Sequence, residues 1–299
     1  MGIELDLAAI RTAGKGLTRP EGVVSTLCGE IYAGNARGHV SVIAPDGSQW
    51  AFGQLGGRPN GIAFDAAGAL IVANIGAGEL QYLTPDGKHT VLASEASGQR
   101  MSSPNFPVVD CRGRIWCSNS CSRLDLLEAL KDPRADGCVF CVDGDRREIV
   151  AEGLMFANGL ALDEKEEYLY VAETTAHRIS RFQVTADGAC VEREQYGPLL
   201  GEHGQPDGIA FDTAGNLWVT LVNENSIGII YPDGSFETVL NDPSGHLLRR
   251  PSNLCFGGPD LRTACIGSLD GSTIPCFTAP FPGLPLVHQL SSQTAVDHQ

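Results

Sequence analysis

Six segments of the chain carry an oxygen-bearing side chain at one repeated position, and these side chains are the strongest candidates for chemistry. They are Glu21, Asn60, Asn105, Asn158, Asp207 and Ser252. Carboxylates mixed with neutral amides form a hard oxygen donor set, which suits Ca²⁺, Mg²⁺ or Mn²⁺ better than a metal that prefers soft ligands. The two carboxylates, Glu21 and Asp207, would also neutralise a divalent cation. The pattern therefore predicts a metal site, provided that the fold brings the six positions together.

The segments that hold these residues are copies of one repeat. In chain order they read RPEGVV, RPNGIAFDAAGALIVAN, SPNFPVVDCRGRIWCSN, FANGLALDEKEEYLYVAE, QPDGIAFDTAGNLWVT and RPSNLCFGGPDLRTACIGS. The repeated positions are 39, 45, 53, 49 and 45 residues apart, which is the period of a propeller blade built from four short strands. Within a copy, an apolar strand, a tight turn and a second strand follow one another.

The repeat predicts an all-β fold, a six-bladed β-propeller, with residues 1–299 forming a single domain. The innermost strands of a propeller run parallel to the central axis, so equivalent positions at one end of these strands form a ring around one mouth of the channel. The repeated position precedes the innermost strand in each copy. We therefore expect the six side chains to face one another.

Each of these positions also has a simpler interpretation as a turn. Asn-Gly, Asp-Gly and Glu-Gly before a strand are ordinary turn dipeptides, in which the side chain caps its own backbone. That interpretation leaves unexplained why charge is confined to Glu21 and Asp207. Three further Pro-Asp-Gly tripeptides, beginning at Pro45, Pro85 and Pro232, have apolar residues on both sides and predict hairpin turns. The tripeptide that contains Asp207 lies instead at the head of an innermost strand.

Two regions depart from the repeat. Residues 123–136, RLDLLEALKDPRAD, have leucines at helical spacing and end near a proline, which predicts a short helix inserted in the third repeat. Such a helix either packs against the body or forms a lid beside a pocket. The C-terminal tail with its lead-in is expected to supply one closing strand and then to fray over about residues 284–299.

Charge and composition limit the partners. The formal net charge of −15 argues against nucleic acid or an anionic membrane, because both would repel the chain. The first residues are acidic where a signal peptide is basic, and no segment approaches the roughly 20 apolar residues of a membrane span. These features favour a cytoplasmic protein, in which the ten cysteines are free thiols.

Four of the cysteines have spacings that suggest structural zinc, namely Cys117, Cys121, Cys138 and Cys141. A zinc site needs thiolates on one side of the chain. The segment GCVFCV reads as a strand, in which Cys138 and Cys141 point to opposite faces because they are three residues apart. The strand pattern therefore disfavours zinc.

The repeated motifs resemble those of the family of regucalcin (senescence marker protein), gluconolactonase and luciferin-regenerating enzyme. The resemblance covers residues 16–277 and depends on RPEG, SPNFPVVD, FANGLALD, YLYVAETT, QPDGIAFDTAGNLWV and FGGPDLRT, in this order and at blade spacing. It implies one divalent metal ion at the channel mouth, with Glu21, Asn158 and Asp207 as protein ligands by similarity. The identity of the ion stays open among Ca²⁺, Mg²⁺, Mn²⁺ and Zn²⁺. Asn105 would lie beside it, touching the ion, a bound water or the substrate.

The resemblance also implies an enzyme, a lactonase that hydrolyses the carboxylic ester bond of a small lactone. A metal with open coordination positions polarises a carbonyl and activates water, and Asp207 is then the candidate general base. Sugar-lactone members of the family carry an arginine where this chain has Ser103, and Phe106 follows the third-repeat asparagine. A lost guanidinium and an added aromatic ring predict a substrate less polar than gluconolactone.

Asn60 and His203 are further candidates for contact with substrate. His203, like His177, is a loop histidine that fits a solvated surface position equally well. The Gly-x-Ser-x-Gly and His-Glu-x-x-His motifs are absent from the sequence, which excludes elbow-type serine hydrolases and zinc proteases of that type. Two alternatives to a lactonase stay open, because a fold alone does not decide activity. They are a metal-binding or regulatory propeller without turnover and a strictosidine-synthase-like enzyme.

Overall fold

A computed structural model describes residue 3 and residues 5–290 of the chain. In this range the chain forms six four-stranded antiparallel sheets around a central channel, which confirms the predicted six-bladed propeller. The innermost strands contact one another in a closed ring that runs from the first blade to the sixth and back to the first. No helix within these residues is both long enough and apolar enough to span a membrane.

The strands are numbered along the chain, and blades 1 to 5 are given from the innermost strand outwards. The first strand is β1 (Arg11–Ala13). Blade 1 comprises β2 (Val23–Ser25), β3 (Ile31–Asn35), β4 (His39–Ile43) and β5 (Gln49–Phe52). Blade 2 comprises β6 (Pro59–Phe64), β7 (Leu70–Asn74), β8 (Glu79–Leu83) and β9 (His89–Ala93). A small hairpin of β10 (Glu95–Ala96) and β11 (Gln99–Arg100) follows.

Blades 3 to 6 complete the ring. Blade 3 comprises β12 (Pro104–Val109), β13 (Ile115–Asn119), β14 (Gly137–Asp143) and β15 (Arg146–Leu154). Blade 4 comprises β16 (Ala157–Leu162), β17 (Tyr168–Glu173), β18 (Arg178–Val184) and β19 (Cys190–Tyr196). Blade 5 comprises β20 (Pro206–Phe211), β21 (Leu217–Leu221), β22 (Ser226–Ile230) and β23 (Phe236–Asn241). Blade 6 comprises β24 (Pro251–Gly257), β25 (Thr263–Ser268), β26 (Ile274–Thr278) and, outermost, β1. The α-helix α1 spans Leu126–Lys131, and 3₁₀ helices span Leu7–Ala9, Thr174–Ala176 and Val222–Glu224.

The ring of blades is closed by the N-terminal strand β1, which pairs antiparallel with β26. The expectation that the C-terminal tail supplies the closing strand was wrong, because three residues are too few to give β1 a periodic signal in the sequence. Residues 284–290 instead lie across the far end of the channel, where Leu284 N–H donates to the carbonyl of Phe211 and the Gln289 side chain donates to the carbonyl of Ser25. Residues 291–299, the rest of the tail that we expected to fray, lie outside the described residues.

A β-bulge near the start of the innermost strand sets the repeated position. In β6, β12, β16 and β20 the pairing with the next strand is interrupted after the first residue and resumes three residues later. The repeated residue is the second residue of the strand, inside this interruption, so its side chain is freed from the regular pleat. In blades 2 to 6 the position therefore lies within the innermost strand, and only Glu21 of blade 1 precedes its strand.

The hydrophobic core is divided among the six gaps between neighbouring blades, each of which holds one apolar cluster. Two fully buried tryptophans, Trp116 and Trp218, lie in the gaps between blades 3 and 4 and between blades 5 and 6. Because every blade packs on both faces, the innermost strands are held from two sides. The packed blades give the repeated position a rigid support.

The helix α1 confirms the predicted insertion in the third repeat. Its N-terminus is capped by the side chain of Asp125, which accepts from two backbone N–H groups. Leu126 and Leu130 pack toward a small cluster that contains Phe156, whereas Leu127 is 69% exposed. The insertion follows β13, which runs antiparallel to β12, so α1 packs against the body at the end of the propeller where the repeated position lies.

Candidate metal centre

The six residues of the repeated position lie together at one end of the channel and are almost completely buried. Their exposed fractions are 4% for Glu21, 0% for Asn60, 4% for Asn105, 4% for Asn158, 5% for Asp207 and 2% for Ser252. We call this set the polar ring. Ser252 Oγ donates to the backbone carbonyl of Glu21 at 3.1 Å, so blades 6 and 1 are linked at the ring.

The four Pro-Asp-Gly tripeptides occupy two kinds of position, as the sequence predicted: three lie in hairpin turns and one lies in an innermost strand. Asp46, Asp86 and Asp233 are exposed residues of turns between the two outer strands of their blades. The glycines that follow them have φ near +82°, which a turn of this kind requires. Asp207 is a buried residue of β20.

Asn60 connects the ring residues of blades 1, 2 and 3. Its Nδ2 donates to Glu21 Oε1 and to Asn105 Oδ1, each at 2.8 Å, and its Oδ1 accepts from Arg19 Nη1 at 2.6 Å. Arg19 also forms an ion pair with the other carboxylate oxygen of Glu21. Because both ends of the Asn60 amide are engaged, this residue orients Glu21 and Asn105.

Asn158 presents a free carbonyl oxygen. Its Nδ2 donates to Thr174 Oγ1 at 3.1 Å, and the Thr174 hydroxyl donates to the backbone carbonyl of Pro206 at 2.8 Å. The hydroxyl proton is committed to Pro206, so Thr174 accepts from the amide and fixes its orientation. Asn158 Oδ1 is buried and has no hydrogen-bond partner among the described residues. Burying an acceptor without a partner is costly unless a ligand completes it.

Asp207 follows Asn158 on the next blade, and its pKa is raised well above the ordinary value of 3.8. Burial is the largest cause, and repulsion by the Glu21 carboxylate raises the pKa further. The positive charges of Arg19 and Arg250 and the amide of Asn158 act in the opposite direction. Two buried carboxylates that repel each other are stabilised by a cation placed between them.

The donor set fits a hard divalent cation. Glu21 and Asp207 contribute carboxylates, and Asn158 contributes the unpartnered carbonyl oxygen. Across the residues that the structure describes, no group of three or more His, Cys, Asp and Glu side chains could hold a metal ion. A metal at the polar ring therefore needs an amide as its third protein ligand, and it competes with Arg19 for Glu21.

The predicted contact residues of blade 3 occupy three different positions relative to the polar ring. Asn105 belongs to the polar ring, and its Nδ2 donates to Ser120 Oγ at 2.9 Å. Ser103 is fully buried, and its hydroxyl bonds to both the carbonyl and the N–H of Cys121. Phe106 lines the channel beyond the ring. Ser103 thus anchors the start of the insertion, and Phe106 faces the channel interior.

The two loop histidines lie on one side of the mouth. His203 is exposed on the loop that precedes β20. His177 has a left-handed backbone conformation, with φ 54°, and its Nδ1 lies 2.9 Å from the carbonyl of Gly204. His177 therefore fastens the loop that carries His203.

The channel beyond the polar ring contains a cavity of about 310 Å³ lined mainly by apolar residues of all six innermost strands, among them Val24 and Phe106. The lining also includes three acidic residues, Asp163, Glu164 and Glu166. The innermost strands thus give the cavity an apolar wall next to the polar ring.

The cysteines are free thiols. Cys117 and Cys141 belong to different blade interfaces and so face opposite sides of their sheet. Burial raises the pKa of both Cys138 and Cys141 to about 12, which keeps these thiols protonated at neutral pH.

Several further residues at the site follow patterns in the sequence. Arg19, Arg58 and Arg250 all stand two positions before a ring residue, as the strings RPEG, RPNG and RPSN show. Thr174 lies in the motif YLYVAETT, but its role depends on contacts between blades 4 and 5 that the sequence does not display. The ring itself was found because its residues repeat.

The fold and the polar ring together define a six-bladed propeller with a candidate metal centre at one mouth of its channel. The chain belongs to the SMP-30/Gluconolactonase/LRE-like region family, whose model matches residues 87–270. This match confirms the resemblance seen in the sequence motifs.

Comparisons with individual proteins agree with the family. The chain is 31% identical over 179 residues to 6-deoxy-6-sulfogluconolactonase of Pseudomonas putida, which covers 59% of this chain and 57% of that protein. It is 28% identical over 174 residues to the protein strictosidine synthase-like 4 of Arabidopsis thaliana, which covers 56% of this chain and 45% of that protein. The chain thus spans about half the length of these curated relatives. A solved gluconolactonase of Xanthomonas campestris has the same fold, with a TM-score of 0.76, 23% identity and coverage of 93% of this chain and 94% of that one.

Proposed function

We propose that this protein is a metal-dependent lactonase that hydrolyses the ester bond of a small lactone to the hydroxy acid. The observation that carries the proposal is the pair of buried carboxylates, Glu21 and Asp207, beside the unpartnered Oδ1 of Asn158. These three residues would hold one divalent ion, Ca²⁺, Mg²⁺, Mn²⁺ or Zn²⁺. Membership of the family and similarity to a relative named as a lactonase support a hydrolase.

The bound cation would polarise the lactone carbonyl and lower the pKa of water. Asn158 is already oriented for its part, because Thr174 holds the amide nitrogen and leaves Oδ1 toward the ligand. Asn60 similarly holds Glu21. The residues of the centre are thus ordered before substrate arrives, which lowers the cost of reorganisation.

Asp207 is the proposed general base. Its carboxylate takes a proton from the attacking water while the new C–O bond forms and the carbonyl electron pair moves to oxygen. The ring C–O bond then breaks, and the protonated Asp207 returns the proton to the leaving alkoxide. The Asp207→Asn variant keeps a ligand oxygen but loses the base, so metal binding with full activity would rule out this role.

The substrate is expected to contact the mouth through Asn105 and His203. Asn60, which the sequence also predicted as a contact, is fully buried with both ends of its amide engaged, so its proposed part is to orient Glu21 and Asn105. We expect a substrate less polar than gluconolactone, because Ser103 offers no guanidinium at its position in blade 3 and Phe106 adds an aromatic ring. The partner is thus a small lactone, and the acidic chain offers no attraction to nucleic acid or an anionic membrane.

A second candidate is a strictosidine-synthase-like enzyme, favoured by the 28% identity to a protein of that name. A propeller that binds metal without turnover is the third. A lactone panel separates the three: acid release is measured with the metal-loaded protein, with a chelator, and after the metal is restored. The lactonase predicts hydrolysis that the chelator abolishes and metal restores. Hydrolysis that is insensitive to chelator would overturn the metal mechanism, and metal-dependent melting without hydrolysis would favour the binding module.

Metal binding should strengthen as pH rises. A carboxyl whose pKa is raised in the folded chain binds its proton more tightly there, so the metal-free protein loses stability as pH rises from 3.8 through the raised pKa of Asp207. A cation must displace that proton. The metal-induced rise in melting temperature should therefore be larger at about pH 8 than at about pH 5, and calorimetry in buffers of different ionisation enthalpy should detect proton release.

The Asp207→Asn variant is the control for this pH effect. It removes the titrating group, so its melting temperature without metal should fall less as pH rises than that of the wild type. An equal pH dependence in both proteins would show that another group titrates.

A further inference from the structure

A second set of side chains stands two positions before the polar ring in every repeat. In chain order these residues are Arg19, Arg58, Ser103, Phe156, Gln205 and Arg250. We call this set the outer tier. Because blade 6 adjoins blade 1, the three arginines stand on adjacent blades 6, 1 and 2, and the three neutral residues stand on blades 3, 4 and 5. The outer tier is therefore cationic on one half of the mouth and uncharged on the other.

One of these arginines contacts the polar ring directly, and a second lies near it. Arg19 donates to Asn60 Oδ1 and forms an ion pair with Glu21. Arg58 is half-buried and lies within electrostatic reach of both Arg19 and Glu21. Its Nε is buried and has no hydrogen-bond partner within the described part of the chain. A buried guanidinium N–H without a partner is costly, and an acceptor on a bound ligand would satisfy it.

Arg250 supplies the third charge from blade 6. Its positive charge reaches Asp207, and its Nη1 lies 3.3 Å from Asp270 Oδ2 at the rim. Both side chains of this pair are more than 40% exposed, so the pair is weak and exchangeable. Arg19 and Arg250 share a left-handed backbone, with φ 51° and 47°, and Phe156 at the equivalent position of blade 4 has the same conformation, with φ 60°. The conformation therefore belongs to the repeat and is not specific to the arginines.

The three arginines at the mouth contrast with the net negative charge of the whole protein. The chain has 21 lysines and arginines against 36 aspartates and glutamates, yet three arginines converge where a divalent cation is also proposed. Glu21, Asp207 and Asp270 are the carboxylates that pair with or lie near Arg19 and Arg250. Three arginines and a divalent cation together carry more positive charge than these three carboxylates carry negative charge, which favours a negatively charged ligand.

We propose that Arg19, Arg58 and Arg250 form an anion-recognition arc, so that the lactone bound here carries an acidic substituent such as a carboxylate, sulfonate or phosphate. This inference rests on the proposed lactonase function. The acidic group faces blades 6, 1 and 2, where guanidinium forks bind oxyanions in pairs of hydrogen bonds. A cation held by Glu21 would release Arg19 from this carboxylate and leave its guanidinium available to the substrate anion. The prediction of a substrate less polar than gluconolactone then applies only to the part of the lactone that faces blades 3 to 5.

The test uses two lactones that differ in charge, γ-carboxy-γ-butyrolactone and its neutral carboxamide. The metal-loaded wild type should prefer the carboxylate, as measured by the ratio of kcat/KM values. Arg19→Met, Arg58→Met and Arg250→Met should each lower that ratio by about 10-fold to 100-fold, the range for lost hydrogen bonds to a charged group. The loss should be largely in KM, because the anion is bound equally in the ground state and the transition state.

Arg249→Met is the matched control, since Arg249 is the exposed neighbour of Arg250 and its loss changes the net charge equally. It should leave the ratio unchanged. An equal fall in this control would show that long-range attraction, not the arc, sets the preference. If the arginine variants keep the ratio and only weaken inhibition by the hydroxy acid product of the neutral lactone, the arc binds product and the proposal is wrong.

The proposal and the lactonase function can fail separately. If the wild type hydrolyses neither lactone, the lactonase function fails, and γ-carboxy-γ-butyrolactone becomes an inert ligand for calorimetric titration. Binding that weakens at least about 10-fold in the three arginine variants but not in Arg249→Met would still support the arc. No binding, or equal binding by all variants, would overturn it.

Discussion

Replacing Asp207 with alanine should lower kcat/KM for lactone hydrolysis by about 10³-fold or more, because the change removes both a metal ligand and the proposed base. Asp233→Ala should leave activity within about twofold, since Asp233 is exposed in a hairpin turn and its carboxylate accepts hydrogen bonds from the neighbouring Ser235. The two aspartates belong to identical Pro-Asp-Gly tripeptides. The comparison therefore tests position in the fold rather than residue type.

Metal-dependent stabilisation supplies a second readout of the same pair of variants. A ligand at 100 times its dissociation constant stabilises the folded state by about 2.7 kcal/mol, and Asp207→Ala should lose most of that increment while Asp233→Ala keeps it. The melting temperatures are compared with and without metal at one pH. Equal loss of activity in both variants, or full metal stabilisation in Asp207→Ala, would contradict the assignment.

Replacing Glu173 with leucine should reduce the free energy of unfolding by about 3 kcal/mol, because it leaves the partners of a buried carboxylate without their acceptor. The Glu173 carboxylate is fully buried and accepts from Met155 N–H at 2.8 Å and from Arg193 Nη2 at 2.6 Å, with Arg178 and Ser180 as further donors. Its hydrogen bonds hold its pKa below the ordinary value although burial raises it. Both arginines are about one third exposed, so the loss should fall at the lower end of the range for broken buried pairs.

Glu194→Leu is the control for this change, because Glu194 forms an ion pair with Arg181 at the surface. Exposed pairs contribute roughly 0 to 1 kcal/mol. Urea unfolding of both variants measures the difference directly. Since Thr174, which orients Asn158, follows Glu173 in the chain, Glu173→Leu should also weaken metal binding. A loss below about 1 kcal/mol in Glu173→Leu would mean that this network contributes little to stability.

The blades and the polar ring could be predicted from the sequence because both repeat. Six copies at blade spacing predict a closed six-bladed propeller, in which the residues at an equivalent position of each blade form a ring around the channel. The contrast between Asp207 and Asp233 followed from the same frame, without any difference in the tripeptide itself.

Other features depend on tertiary contacts that do not repeat. The closing strand β1 pairs three residues from one chain end with residues more than 260 positions away, and so short a segment has no pattern of its own. Ser103 lies at a position equivalent to the arginines of other blades, yet hydrogen bonds to Cys121 bury it. The free oxygen of Asn158 is fixed by Thr174, whose partner belongs to the next blade. Sequence position located these residues, but their neighbours decide what each one does.

The most direct test of the central claim is a crystal structure of the metal-loaded protein, with the ion identified by anomalous scattering. We expect one ion bound by Glu21, Asn158 Oδ1 and Asp207, at about 2.3 to 2.6 Å for Ca²⁺ or about 2.0 to 2.1 Å for Mg²⁺. We also expect that Arg19 no longer pairs with Glu21. A saturated crystal with no ion at the polar ring, or with an ion bound elsewhere while Arg19 keeps its contact with Glu21, would contradict the proposed metal centre.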